Sequence, residues 1–205
     1  MKDQQVGRFI VLEGIDGAGT TTQARLLTRW LQRSGRRVLQ THEPSPGPLG
    51  VLIRQALRAR LVAGDGGRLD PRAIAGLFVA DRADHLHSEI EPALAAGTDV
   101  ICDRYVMSSL AYQGSECDPA WIQALNAPFR APDLTLFVDV SVEVAAARRA
   151  RRGGVADLFE VDDFQRQVAE AYRRAAALHG AHTIDGSAGV RAVFRACQGA
   201  ILELG

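Results

Sequence analysis

Five short apolar runs, set apart by longer helix-period segments, constrain this chain more than any other feature. The runs are Phe9–Glu13, Arg37–Thr41, Asp99–Asp103, Thr135–Asp139 and His182–Asp185. They are dense in Val, Ile, Leu and Phe and do not alternate with polar residues, which is the composition of strands buried on both faces. Helical patterns fall between them at about 19–34, 47–62, 71–96, 141–152, 159–179 and 188–203. Such alternation predicts an α/β fold, a five-stranded parallel sheet flanked by helices. The third helical segment carries its own boundaries: Asp70 as N-cap, Pro71 at the first helical position and Gly97 just past the end. With no internal repeat and no interdomain linker, residues 1–205 read as one domain. Gly64-Asp65-Gly66-Gly67 reads as a surface loop and Gly153-Gly154 as a hinge.

Ligands of open parallel sheets collect at the carboxyl ends of the strands. Here every such end is polar: Asp16, Glu43, Asp103-Arg104 and the segment after Asp139. The first end opens into "GIDGAGTTTQ", residues 14–23. A strand turning sharply into a helix aims several backbone N–H groups at one point, and glycine lets that backbone approach an anion closely. Gly14, Gly17 and Gly19 supply that geometry, and Thr21 supplies a hydroxyl for magnesium. The phosphate-loop pattern G-x-x-x-x-G-K-S/T is met except at Thr20, where lysine is expected. Lys2 is the only lysine; arginine supplies the rest of the 24 basic residues. Lys2 would have to fold back past the first strand, so an arginine is the expected substitute. The bland reading is a glycine-rich turn before a helix.

Three further groupings stand beside the loop. Asp103-Arg104-Tyr105 places a carboxylate suited to magnesium next to a guanidinium suited to phosphate oxygens; alone it is equally a structural ion pair. Phe78 and Arg82 share one helix face, a ring that stacks on a base and a fork for a carbonyl or phosphate; the plain alternative is a core ring and a surface charge. Arg148, Arg149, Arg151 and Arg152 crowd one helix end, a solvated basic terminus or a clamp over phosphates.

Composition bounds the partners. With 47% hydrophobic and 23% charged residues the chain is of ordinary globular type, and its formal net charge of zero supplies no global field toward nucleic acid or a membrane. Cys102, Cys117 and Cys197 lack metal-ligand spacing and point to reduced thiols in a cytoplasmic protein. No signal-peptide pattern and no bilayer-length apolar stretch is present.

Together these stretches resemble the thymidylate kinase family along almost the whole chain. "FIVLEGIDGAG-TTQ" resembles its opening strand and loop, "EPSPGPLGVLIR" (43–54) its second-strand segment and "LFVADRADHL" (77–86) its nucleotide-binding helix. "DRYVMSSLAYQG" (103–114) is the most specific stretch, and "DLFE" (157–160) resembles the end of the family's lid. The resemblance implies a P-loop kinase fold with a short Arg-rich lid at about 148–160, and transfer of the ATP γ-phosphoryl group to dTMP with magnesium.

It also implies roles. Gly14, Ile15, Asp16, Gly17, Ala18, Gly19, Thr20, Thr21 and Thr22 would hold ATP, with Asp185-Gly186-Ser187 flanking adenine. Thr21 and Asp103 would hold magnesium. Phe78 would stack on thymine, Arg82 bind its carbonyl edge or the phosphate, and Ser108 and Gln113 contact the base. Arg104 would hold the dTMP phosphate, with Arg54 a second candidate and Glu43-Pro44 beside it. Tyr112 would lie against the sugar and disfavour a 2′-hydroxyl, and Asp16 would meet the 3′-hydroxyl or magnesium-bound water. Asp16, Arg104, Arg148, Arg149, Arg151 and Arg152 form the catalytic set. Homodimerisation through long helices is also implied.

Three positions depart from the family pattern. Thr20 replaces the loop lysine, His42 replaces the usual arginine before Glu-Pro, and Leu158 replaces the lid arginine of Asp-Arg-x-Glu. Family members place a catalytic arginine either inside the glycine loop or in the lid. Gly17 holds the loop position here, which assigns the chain to the lid-arginine group. Two alternatives stay open: a nucleotide-binding regulator without turnover, and a kinase for another nucleoside monophosphate.

Overall fold

All five apolar runs form strands, but burial on both faces holds only for the central ones: Phe9–Glu13 and Asp99–Asp103 are buried throughout, whereas the edge strands Val38–His42 and His182–Asp185 keep exposed positions. The computed structural model describes residues 6–152 and 162–204. The strands are β1 (Phe9–Glu13), β2 (Val38–His42), β3 (Asp99–Asp103), β4 (Leu134–Asp139) and β5 (His182–Asp185). They form one parallel sheet in the order β2-β3-β1-β4-β5. Ile10 and Leu12 of β1 pack into a core with Leu27, Leu136, Tyr172 and Cys197. Phe9 and Val11 point the other way, against Leu86, Ile90 and Leu94. Both faces of β1 are therefore dry, so both parities of its side chains must be apolar.

The described helices are α1 (Thr20–Arg33), α2 (Pro48–Leu57), α3 (Pro71–His85), α4 (Glu91–Ala95), α5 (Val106–Tyr112), α6 (Pro119–Asn126), α7 (Val142–Arg152), α8 (Asp162–His179) and α9 (Val190–Glu203). The expected single helix at 71–96 begins as read, with the Asp70 carboxylate accepting from the Arg72 N–H and Pro71 in the first turn. It then widens into a π turn at Leu86–Ile90 before α4. Pro92 explains the change, because it cannot donate an N–H and its ring crowds the preceding turn. The segment expected at 47–62 stops at Leu57, where Arg58 caps it and Ala59 turns left-handed (φ 53°). β2 lies one residue later than read, because its pairing with β3 carries through to His42 opposite Asp103.

Two helices, α5 and α6, were not expected. The second had a local signal, since Asp118-Pro119 repeats the cap at Asp70-Pro71 and Asp118 accepts from the Ala120 N–H. The amino ends of three strands are pinned by one carboxylate. Asp99, fully buried, accepts from Arg8 at 2.9 Å and from Arg36. β1 sits at the centre of the sheet with β3 and β4 on either side, so the crevice at its carboxyl end is where a ligand is expected. Among the described residues, no helix is long and apolar enough to cross a membrane.

Candidate active site

The carboxyl end of β1 leads into a loop that passes directly to α1. Gly19 caps that helix in the left-handed region (φ 102°), and Gly17 adopts φ 93°. A Cβ on Gly17 would stand 2.4 Å from the Ala145 carbonyl oxygen of α7, so the loop can press against that helix only with glycine here. No side chain fits, and an arginine at position 17 is excluded. The loop, from Asp16 to Gln23, lines a cavity of about 510 Å³ whose other wall is formed by Gly186, Ser187 and Gly189. Gly186 makes a second close approach: a Cβ there would lie 2.7 Å from the Asp139 carbonyl oxygen. Asp185, exposed, accepts from the Ser187 N–H and hydroxyl. Gly14 and Ile15 do not reach this lining, and the Ile15 side chain belongs to the core.

At the floor of the loop the Thr21 hydroxyl donates to Asp103 Oδ2 at 2.5 Å. The other carboxylate oxygen, Oδ1, is buried and has no hydrogen-bond partner among the described residues. A hard cation suits that pair, since magnesium takes one or two protein oxygens and completes its shell with phosphate and water. No cluster of three or more His, Cys, Asp or Glu side chains offers a metal site among the described residues.

A second cavity, about 230 Å³, opens on the other side of Asp16 and Arg104, and both residues line both spaces. It brings together Glu43, Pro44, Arg54, Phe78, Arg82, Ser108, Tyr112 and Gln113. Arg104 adopts φ 76°, which costs a non-glycine residue about 1–2 kcal/mol, and its N–H is tied to the Leu12 carbonyl. Its guanidinium donates to Asp16 Oδ1 at 2.6 Å and to the Tyr172 hydroxyl at 3.1 Å, and lies over the Tyr112 ring at 5.3 Å. Burial opposes its charge, but Tyr112, Asp16, Tyr172 and Asp103 more than restore it. The Tyr112 hydroxyl donates to Asp16 Oδ2 at 3.1 Å and accepts from the Asp16 N–H. Gln113 is buried, with Oε1 unpartnered among the described residues.

Several expected contact residues turn out to be braced by partners no motif suggested. Arg82 is fully buried, with Nε and Nη2 donating to Glu43 Oε2 at 2.9 and 2.7 Å. Its remaining contacts include Asn126, the Tyr105 carbonyl and the Ser109 hydroxyl. The Ser108 hydroxyl donates to Glu13 Oε2 at 2.7 Å, so it faces the scaffold as well as the cavity. Glu13, fully buried, also accepts from the Tyr105 and Ser108 N–H groups and the Tyr172 hydroxyl. Burial pushes its carboxyl above the usual range despite these donors, the Ser108 hydroxyl foremost. Arg54 donates to the carbonyls of Pro44 and Ser45, which frame the cavity rim. Glu13 and Tyr172 were missed by sequence reasoning: a buried-strand glutamate is a signal in itself, whereas the tyrosine sits in a helix far along the chain and gave none.

The arginine cluster divides. Arg148 donates to the carbonyls of Ala18 and Gly186, bridging the two walls of the larger cavity, and Arg149 donates to the Asp16 carbonyl at 2.7 Å. Both line that cavity together with Thr20. Arg151 is exposed and does not line it. The side chain of Arg152, the Gly153-Gly154 hinge, Leu158 and the rest of the expected lid to residue 160 lie outside the described residues, as does Lys2. His42 is exposed, with Nδ1 2.8 Å from the Pro44 carbonyl.

Comparison with known proteins gives a family and close relatives. The family model for thymidylate kinase matches residues 12–196. The "Probable thymidylate kinase" of Pyrococcus horikoshii is 43% identical over 171 residues, 83% of each chain. That of Pyrobaculum aerophilum is 42% identical over 181 residues, 87% of this chain and 88% of the relative. The "Thymidylate kinase" of Thermomicrobium roseum is 44% identical over 177 residues, 82% of this chain and 80% of the relative.

Proposed function

The chain belongs to the thymidylate kinase family, and from that premise we infer how its residues transfer the γ-phosphoryl group of ATP to dTMP, giving dTDP and ADP. One observation carries the assignment of parts: Asp16 and Arg104 line both cavities, so a donor on the glycine loop and an acceptor among Phe78, Tyr112 and Gln113 meet at these two side chains.

ATP lies along residues 16–22, its phosphates cradled by backbone N–H groups at the start of α1. Its adenine is flanked by Asp185-Gly186-Ser187, of which Gly186 and Ser187 line the larger cavity. Thr21 and Asp103 would hold magnesium, which when bound would neutralise charge on the donor phosphates. In the acceptor cavity Phe78 stacks on thymine, Gln113 Oε1 accepts from the ring N–H, and Arg82 and Ser108 form the floor. Arg104 and Arg54 hold the dTMP phosphate, Glu43-Pro44 shape that wall, and Tyr112 packs against the sugar. A dTMP phosphate oxygen attacks the γ-phosphorus as the bond to the β–γ bridging oxygen breaks and ADP leaves. The attacking group is already anionic, so no strong base is required, and positioning with charge cancellation does the work.

Thr20 removes one cation from this arrangement, and Arg148 and Arg149 supply it from α7. Their guanidinium groups already reach the carbonyls of Ala18 and Asp16, the loop itself. The unit acts as one kinase domain over 1–205 with a lid at about 148–160. It draws on the cytoplasmic nucleotide pool. It pairs as a homodimer across the α2–α3 surface, where Val51 and Leu52 are 42% and 39% exposed. Sedimentation equilibrium that returns a monomer removes that pairing.

The deciding experiment is a coupled assay with ATP, magnesium and dTMP, compared with dUMP and UMP. ADP release is expected in that order of preference, UMP poorest. Binding of dTMP without ADP release would overturn the catalytic reading.

A further inference from the structure

We propose that His85, acting through Glu43, positions Arg82 at the floor of the acceptor cavity and makes dTMP binding weaken as pH rises. The proposal rests on the reading that this cavity takes dTMP.

His85 lies on α3, one turn past Arg82, with a side chain only 1% exposed. Its Nδ1 is 3.4 Å from Glu43 Oε1, and its Nε2 is 2.8 Å from the Thr41 hydroxyl and 3.0 Å from Glu89 Oε2. Glu43 uses its other oxygen, Oε2, for Arg82. One carboxylate therefore links an imidazole to the guanidinium that lines the cavity. Glu43 lines it too, while His85 does not touch it, so His85 acts only through its neighbour.

The groups facing His85 are mostly anionic. Glu43 follows β2, Glu89 comes from the π turn and Asp81 from α3 itself; Arg82 is the nearby cation. Thr41 is neutral, and it also donates to Glu89. Asp81 is occupied by the Ser45 N–H and hydroxyl. Cys102 of β3 faces Glu43 as a thiol, because burial pushes its pKa well up. Only an imidazolium can donate from both nitrogens, to Glu43 and to Glu89 together; the neutral ring donates from one. Burial draws the His85 pKa down, but the hydrogen bond to Glu43 and the charges of Glu43, Glu89 and Asp81 outweigh it, and the net direction is upward from the ordinary value of 6.5.

The sign follows. The imidazolium persists on the acid side and is lost as pH rises through the raised value. Glu43 Oε1 then loses its cationic neighbour, and the carboxylate that aligns Arg82 is held on one side only. Arg82 keeps Asn126, Tyr105 and Ser109, so the fold stands and the effect falls on acceptor binding.

The test is KM for dTMP, KM for ATP and kcat as functions of pH, with dTMP binding followed by calorimetry. In the wild type, KM for dTMP should rise on the order of tenfold above the break, while KM for ATP stays level. His85→Asn keeps a donor at the Nδ1 position without titrating and should show a low, flat profile. His85→Gln keeps a donor only toward Glu89 and should be flat and high. Glu89→Gln should move the wild-type break to lower pH. The second dTMP phosphate pKa, about 6, adds the same pH dependence to every profile, so flat means flat once that common substrate titration is divided out. If the Asn variant retains the wild-type profile, or Glu89→Gln leaves the break in place, His85 is not the positioning group. If the enzyme turns over another monophosphate and neither binds nor phosphorylates dTMP, the cavity assignment itself falls and this proposal with it.

Discussion

Arg104 Nη2 donates to Asp16 Oδ1 at 2.6 Å on the wall common to both cavities. The contact joins the end of β3 to the glycine loop, residues 88 apart in the chain. Each group is also held by Tyr112, through its ring face for Arg104 and its hydroxyl for Asp16. The three side chains thus form one unit on the wall that the two cavities share.

Replacing Arg104 by lysine keeps the charge but removes the planar fork and its stacking on Tyr112. Steady-state kinetics should show kcat/KM for dTMP lowered about 10²-fold, with KM for ATP nearly unchanged. An Arg104→Lys enzyme of parental efficiency would remove Arg104 from the acceptor site.

Arg148 and Arg149 reach the glycine loop, whereas Arg151 does not line its cavity. Alanine at 149 should cost about 10²–10³-fold in kcat, the scale of losing one preorganised donor. Alanine at 151 should change ADP formation by less than about twofold, as for surface sites away from special contacts. Thr20→Lys added to Arg149→Ala should recover about tenfold, or 1.4 kcal/mol. Equal rates for all three single and double variants would refute charge replacement from α7.

Asp103 is bonded to Thr21 through one oxygen and leaves Oδ1 for a ligand. Asp103→Asn should raise the magnesium concentration needed for half-maximal rate by about 10–100-fold, the range seen when metal-site partners are altered. A magnesium titration of ADP formation measures it directly.

Asp99 anchors Arg8 and Arg36 at the amino ends of three strands. Burial raises its pKa, but the hydrogen bonds from Arg36 and then Arg8 dominate and bring it from 3.8 to about 2. The carboxylate therefore contributes about 2 kcal/mol above the unfolded value, and this is lost as pH falls through about 2. Asp99→Asn should lower the melting temperature at pH 7 by about 4–8 °C and flatten the acid side of the stability profile. Scanning calorimetry between pH 2 and 7 distinguishes the two curves.

The strands, the glycine loop and the capped start of α3 were legible because their signals are short-range. Apolar density marks a doubly buried strand, Asp-Pro caps a helix, and glycine answers a local demand for φ above zero. Sheet order, the union of two cavities at Asp16 and Arg104, and the division of Arg148 and Arg149 from Arg151 came only with the tertiary structure. So did the bonds of Glu13 to Tyr172 and of Glu43 to His85, which span 159 and 42 residues. No local pattern encodes those pairs. They exist because a buried polar group must find a partner wherever packing brings one, and that partner is chosen by the whole fold.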